Sequence, residues 1–101
     1  MGRRPRQKQQ YLAKKLLGIR NALGLTQFQL VRLMGVDDSI PYHRISEYES
    51  GRREPSLWML LAYARVAGVH LEDIVDDNLD LPRKLPGNVN YRGIPRKSQR
   101  K

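Results

Sequence analysis

Residues 45–56 read ISEYESGRREPS, and residues 25–30 read LTQFQL. In the first run, Ile45 and Tyr48 stand three apart on one apolar side of a helix that closes on Glu49. Gly51 breaks that helix, Arg52 and Arg53 follow, and Pro55-Ser56 is a helix restart. In the second run, Thr26 with Gln29 three residues later is a capping box, each side chain satisfying an amide donor that the helix itself leaves orphaned. Short helices joined by tight turns, with basic residues in one turn, are written into these two segments.

Reading outward, Leu12, Leu16, Ile19 and Leu23 recur at spacings of four, three and four, which predicts a helix over 11–23 ended by Gly24. The capped second helix is predicted over 27–34, with Leu30, Val31, Leu33 and Met34 as its apolar side and Gly35 as its stop. Asp37, Asp38 and Ser39 favour a turn because their side chains bond their own backbone, and Pro41 fits only the first turn of a new helix. A third helix is therefore expected over about 41–50. It turns Ile45 and Tyr48 inward and leaves Tyr42, His43, Arg44, Ser46 and Glu47 outside or at the edge, with Asp37 and Asp38 facing away or capping its start.

Ser56 is the expected cap of a fourth helix, LWMLLAYARVA, which Gly68 closes. Apolar nearly all round, it must be covered on more than one side. The face of Leu57, Leu60, Leu61 and Ala64 is expected in the core, leaving Trp58, Met59, Tyr63 and Val66 as a surplus patch. Leu71, Ile74 and Val75 give a short fifth helix with Glu72, Asp73, Asp76 and Asp77 outside, before Pro82 ends the ordered part. With no alternating run long enough for a sheet, the fold class is all-α, five helices.

The 101 residues, 40% of them apolar, suit a single domain. The absence of cysteine rules out disulfides and thiolate metal sites. No apolar run approaches the roughly 18 residues of a membrane span. The start MGRRPRQKQQ lacks the apolar core of a secretory signal, so a soluble cytoplasmic protein is expected. Of the nineteen basic residues, eleven lie in 1–10 and 82–101, where there is no acid; residues 11–81 hold eight bases against ten acids, a net of −2. The expected organisation is a basic flexible arm (1–10), a helical domain (11–81) and a basic flexible tail (82–101), with arms able to follow a polyanion backbone. Tyr91 and Ile94 give the tail room for a short ordered contact.

Over roughly 16–79 the chain resembles the lambda-repressor-like, XRE-type helix-turn-helix family. The resemblance is carried, in order, by Arg20, Leu25-Thr26-Gln27, Leu30, Gly35-Val36, Ile45 with Glu49 and Gly51, Pro55-Ser56, and Gly68-Val69. It implies a five-helix DNA-binding domain in which Arg20 pairs with Glu49 and ties the first helix to the end of the third. Gln27, at the positive end of the second helix, would hold a phosphate. Tyr42, His43, Arg44 and Glu47 would lie at or near base edges in the major groove, with Ser46 beside them, and Arg52 and Arg53 on phosphate. Arg44 is read equally as a guanine or a phosphate contact. Two departures stand out. Gly35 to Gly51 spans sixteen positions, more than the family usually shows, so the register of the reading residues is open by a position or two; Val31 replaces the family's common alanine.

The resemblance implies a bacterial or phage transcriptional regulator, a repressor occupying an operator, with double-stranded DNA as partner and a two-fold homodimer as its form. The other reading is an antitoxin or adaptor of the same fold with a cognate protein partner, which the patch of Trp58, Met59, Tyr63 and Val66 favours. Two isolated histidines and acids gathered on one helix make no catalytic constellation, so no enzyme activity, metal or cofactor is expected. RNA binding lacks an aromatic stacking platform.

Overall fold

The computed structural model describes residues 9–86. Five helices follow in order: α1 Leu12–Leu23, α2 Gln27–Met34, α3 Arg44–Glu49, α4 Leu57–Ala67 and α5 Leu71–Val75. Among the described residues there is no strand.

The helix ends are set by local chemistry. Thr26 Oγ1 accepts the Gln29 amide at 3.0 Å while Gln29 Oε1 accepts the Thr26 amide at 2.9 Å, completing the capping box that starts α2. Ser56 Oγ accepts the Met59 amide at 3.2 Å and starts α4. Gly24 and Gly35 take φ of 72° and 74°, a left-handed backbone where a side chain would be strained. There they donate to last-turn carbonyls and let the chain leave α1 and α2 abruptly.

The third helix differs from its expected extent, starting at Arg44 rather than near Pro41. Arg44, Ile45 and Ser46 donate amides to the carbonyls of Pro41, Tyr42 and His43 at 3.0–3.1 Å, so residues 41–43 wind as a tighter three-residue turn. Ile40, just before this turn, is half-buried against the core. His43 occupies the N-cap with no side-chain cap bond, so neither Asp37 nor Asp38 caps α3; both are exposed.

The core runs through all five helices: Leu12, Leu16 and Ile19 from α1, Leu30 and Val31 from α2, Ile45 and Tyr48 from α3, and Ile74 from α5, around Met59, Leu60, Tyr63, Ala64 and Ala67 of α4. The face expected of α4 is corrected accordingly. Met59 and Tyr63 are buried, Val66 is half-buried, and Leu57 and Trp58 are the exposed members, at 64% and 71%. The surplus patch therefore reduces to Leu57 and Trp58 with the edge of Val66. Where every position is apolar, a 3.6-residue period offers several equivalent stripes, and the neighbours α1, α2 and α5 decide which one is covered. Order also extends past Pro82, since Leu81 packs on the core and Leu85 is buried within it.

A polar clasp joins the ends of α1 and α5. Lys15, on the buried side of α1, sends its ammonium to the carbonyls of Asp73, Asp76 and Leu79 at 2.9, 2.9 and 2.7 Å. These carbonyls lie at and beyond the α5 C-terminus, where a cation is favoured. In return the Asp77 carboxylate accepts the amides of Gln10 and Tyr11 at 2.9 and 3.2 Å, at the start of α1. Lys15→Met, which keeps the apolar stem and removes the ammonium, is expected to cost about 1–3 kcal/mol by leaving the carbonyls unsatisfied. Urea denaturation should show a lowered midpoint at unchanged slope; an unmoved midpoint would deny the clasp any net contribution.

Candidate nucleic-acid interface

Arg20 sits near the end of α1 and Glu49 at the end of α3. Arg20 Nε donates to Glu49 Oε2 at 2.6 Å and Nη2 to Oε1 at 3.0 Å, a parallel fork. Arg20 Nη1 donates to the Leu25 carbonyl at 3.0 Å, and Gln27 Nε2 reaches Glu49 Oε1 at 3.4 Å. Both charged side chains are largely withdrawn from solvent, 17% and 7% exposed. The hydrogen bond to Glu49 outweighs desolvation and raises the Arg20 guanidinium above its ordinary value. One ion pair thus holds α1, the turn into α2 and the end of α3 in a single arrangement.

Around that clamp, the outward side of α3 and its flanks present the residues expected to meet DNA. Tyr42 is 52% exposed, His43 is exposed, and Arg44, Ser46 and Glu47 are half-buried along α3. Tyr42 does not stand alone. Its ring meets Phe28 edge-to-face at 5.8 Å between centroids and 88° between planes, and His43 lies against it at 6.4 Å. The Arg32 guanidinium sits 5.8 Å over the Phe28 ring, one turn along α2. Phe28 and Arg32 were missed by sequence reasoning, although a phenylalanine between two glutamines on the solvent side of a capped helix is out of place. That misfit was the available signal.

Arg52 and Arg53 are exposed in the loop after α3. Their amides both donate to the Glu47 carbonyl, at 2.9 and 3.2 Å. The Glu47 carboxylate takes a further bond from Arg53 Nε at 2.8 Å on Oε1 and lies 3.2 Å from Arg44 Nε. The bond from Arg53, with the charge of both arginines, holds the Glu47 carboxyl below its ordinary value. Its contribution to stability is therefore present above the ordinary carboxylate range and is lost as pH falls through the lowered value. The structure thus brings Tyr42 and His43 together just before α3, and gathers Arg44 and Arg53 on Glu47. Gln27, at the start of α2, turns its amide to Glu49. Gln9 lines a cleft with Arg52 and Arg53, so the chain enters the domain beside the basic loop. The basic residues before it, and Tyr91 and Ile94, lie outside the described residues.

Among the described residues no three His, Asp or Glu side chains cluster so as to hold a metal ion. A family model described as helix-turn-helix matches residues 16–74. Neither a curated protein nor a solved structure matches the chain.

Glu49→Gln is expected to destabilise the domain by about 3 kcal/mol, because the Arg20 charge is left semi-buried without its partner. Replacing both partners by apolar residues, Arg20→Met with Glu49→Leu, should recover much of that loss in urea denaturation. A single variant as stable as the parent would show that the fork does not hold the helices together.

Proposed function

The chain belongs to the lambda-repressor-like, XRE-type helix-turn-helix family, a family of DNA-binding regulators, and we propose that it reads duplex DNA as a small transcriptional repressor acting by operator occupancy. The observation that carries this reading is the outward surface of exposed Tyr42 and His43 beside half-buried Arg44, on a helix tied to α1 and to the start of α2 by the fork between Arg20 and Glu49. An α-helix fits the major groove, where each base pair presents a distinct set of donors and acceptors. Arg44 reads guanine from that surface, Tyr42 and His43 meet a thymine methyl or donate one hydrogen bond, and Ser46 and Glu47 lie beside them. Gln27 approaches the phosphate backbone at the α2 N-terminus. Arg52 and Arg53 contact phosphate and add affinity without base preference.

The charge supports a division of labour. Residues 9–86 hold ten basic and ten acidic residues, so the whole net charge of +9 resides in 1–8 and 87–101. Those segments supply the general attraction to the polyanion, and the neutral domain supplies the choice of site. The protein acts in the cytoplasm, on the nucleoid of a bacterium or on phage DNA; no helix among the described residues is long and apolar enough to cross a membrane. It carries out no catalysis. A second copy completes the two-fold arrangement of half-sites about 34 Å apart, and the exposure of Leu57 and Trp58 favours self-association. The same pair favours a second reading, an antitoxin or adaptor bound to a partner protein.

Selection of bound sequences from a random duplex pool separates these readings. A palindromic consensus is the expected outcome; an asymmetric one would reject the two-fold dimer, and no consensus would favour the adaptor. Against that consensus, Arg44→Ala should lose roughly 1–3 kcal/mol of specific affinity and little of the affinity for random duplex. Equal loss on both duplexes would reduce Arg44 to a phosphate contact. Removing residues 87–101, which carry five basic residues, should lessen the logarithmic salt slope of binding by up to about 0.9 for each phosphate left without its cation. A slope identical to that of the full chain would take this segment out of the interface.

A further inference from the structure

Glu47 is an acid in the middle of the surface proposed to meet a polyanion, and it is not free to meet a base. One carboxylate oxygen, Oε1, takes the Arg53 Nε bond at 2.8 Å and faces Arg44 Nε at 3.2 Å. The two contacts are unlike. The first is an aligned hydrogen bond, whereas Arg44 Nε is buried with no hydrogen-bond partner, held by charge rather than geometry. The Glu47 carbonyl meanwhile accepts the Arg52 and Arg53 amides and the Ser50 hydroxyl, so the loop that carries the arginines is folded back on this one residue.

We propose that Glu47 sets specificity by competition: its carboxylate occupies Arg44 and Arg53 in the free protein and must be displaced before either can bind phosphate. The inference rests on the DNA-binding reading above. A phosphate is an acceptor for an arginine that already has an anionic partner, so exchanging one for the other returns little. A guanine edge offers Arg44 two acceptors at once, N7 and O6, and satisfies a donor that Glu47 leaves unsatisfied. Random duplex therefore gains little from these two arginines, while a cognate site recovers the cost of releasing them. Glu47 is a positioning residue acting through Arg44 and Arg53, and discrimination arises from an internal repulsive element as well as from base contacts.

The test is Glu47→Gln, which keeps the shape of the side chain and removes its charge. With random-sequence duplex as probe, the variant should bind on the order of tenfold more tightly, with a salt slope steeper by about 0.9 for each arginine released to phosphate. With the selected consensus duplex the gain should be smaller, so the ratio of specific to nonspecific affinity falls. In the free full-length protein, the Arg44 and Arg53 Nε–H resonances should exchange with water faster in the variant than in the parent. Loss of affinity confined to the consensus, with random-duplex affinity unchanged, would make Glu47 a base reader and overturn the proposal. Equal weakening on both duplexes together with a lower unfolding midpoint would make it a structural tether and also overturn it. Wild-type protein with no salt-sensitive affinity for duplex DNA would overturn the DNA-binding reading itself. Wild-type binding that the variant leaves unaltered on both probes would overturn this inference alone.

Discussion

The fork between Arg20 and Glu49 is the constraint on which the rest of the structure depends. Hydrophobic burial is not directional, and α3, six residues long, is far too short to persist by itself. Its two core side chains, Ile45 and Tyr48, anchor it to the interior but leave its end free to pivot. The bidentate bond supplies the missing direction. Because Arg20 also holds the Leu25 carbonyl and Glu49 also meets Gln27, the start of α2 and the end of α3 are referred to the same two charges. The surface that faces outward from α3 inherits its orientation from that reference.

Charge is partitioned rather than spread. Of the ten acids, five lie in or just beyond α5, where the Asp77 carboxylate and the carbonyls of Asp73 and Asp76 are engaged in the clasp with the start of α1. Of the other five, the two on α3 are matched to particular arginines, Glu49 to Arg20 and Glu47 to Arg44 and Arg53. Residues 9–86 are electrically neutral and the excess positive charge lies in 1–8 and 87–101; on the proposed reading this separates two physical tasks, long-range attraction, which is screened by salt, and short-range fit, which is not.

Several features are legible in the amino-acid order because they depend on neighbours within one helical turn. The capping box of Thr26 and Gln29, the cap at Ser56 and the stops at Gly24, Gly35 and Gly68 are of this kind. The start of α3 was not legible to the residue, since a proline suits either a helix or a tighter turn, and Pro41 here opens the tighter turn. Nor was the buried stripe of α4, where Met59 and Tyr63 took the places expected of Leu57 and Leu61. Tyr63 also carries a hydroxyl into the core without a partner, and desolvation raises its pKa. Of the surface, Tyr42, His43 and Arg44 were legible as outward residues, whereas the contact that joins Tyr42 to Phe28 spans the long turn and has no local signal.

From the chain of amino acids alone came the helix count, the ends of α1, α2 and α4, the family, and the location of the excess charge. All of these are local or additive properties, set by spacing, capping and counting. Three-dimensional packing had to decide which of the apolar stripes on α4 is covered, and that Lys15 belongs inside with its ammonium on three carbonyls. It also decided that Leu85 belongs to the core and that Tyr42 rests against Phe28. These depend on which distant residues arrive at the same place, and no periodicity encodes an encounter between residues far apart in the chain.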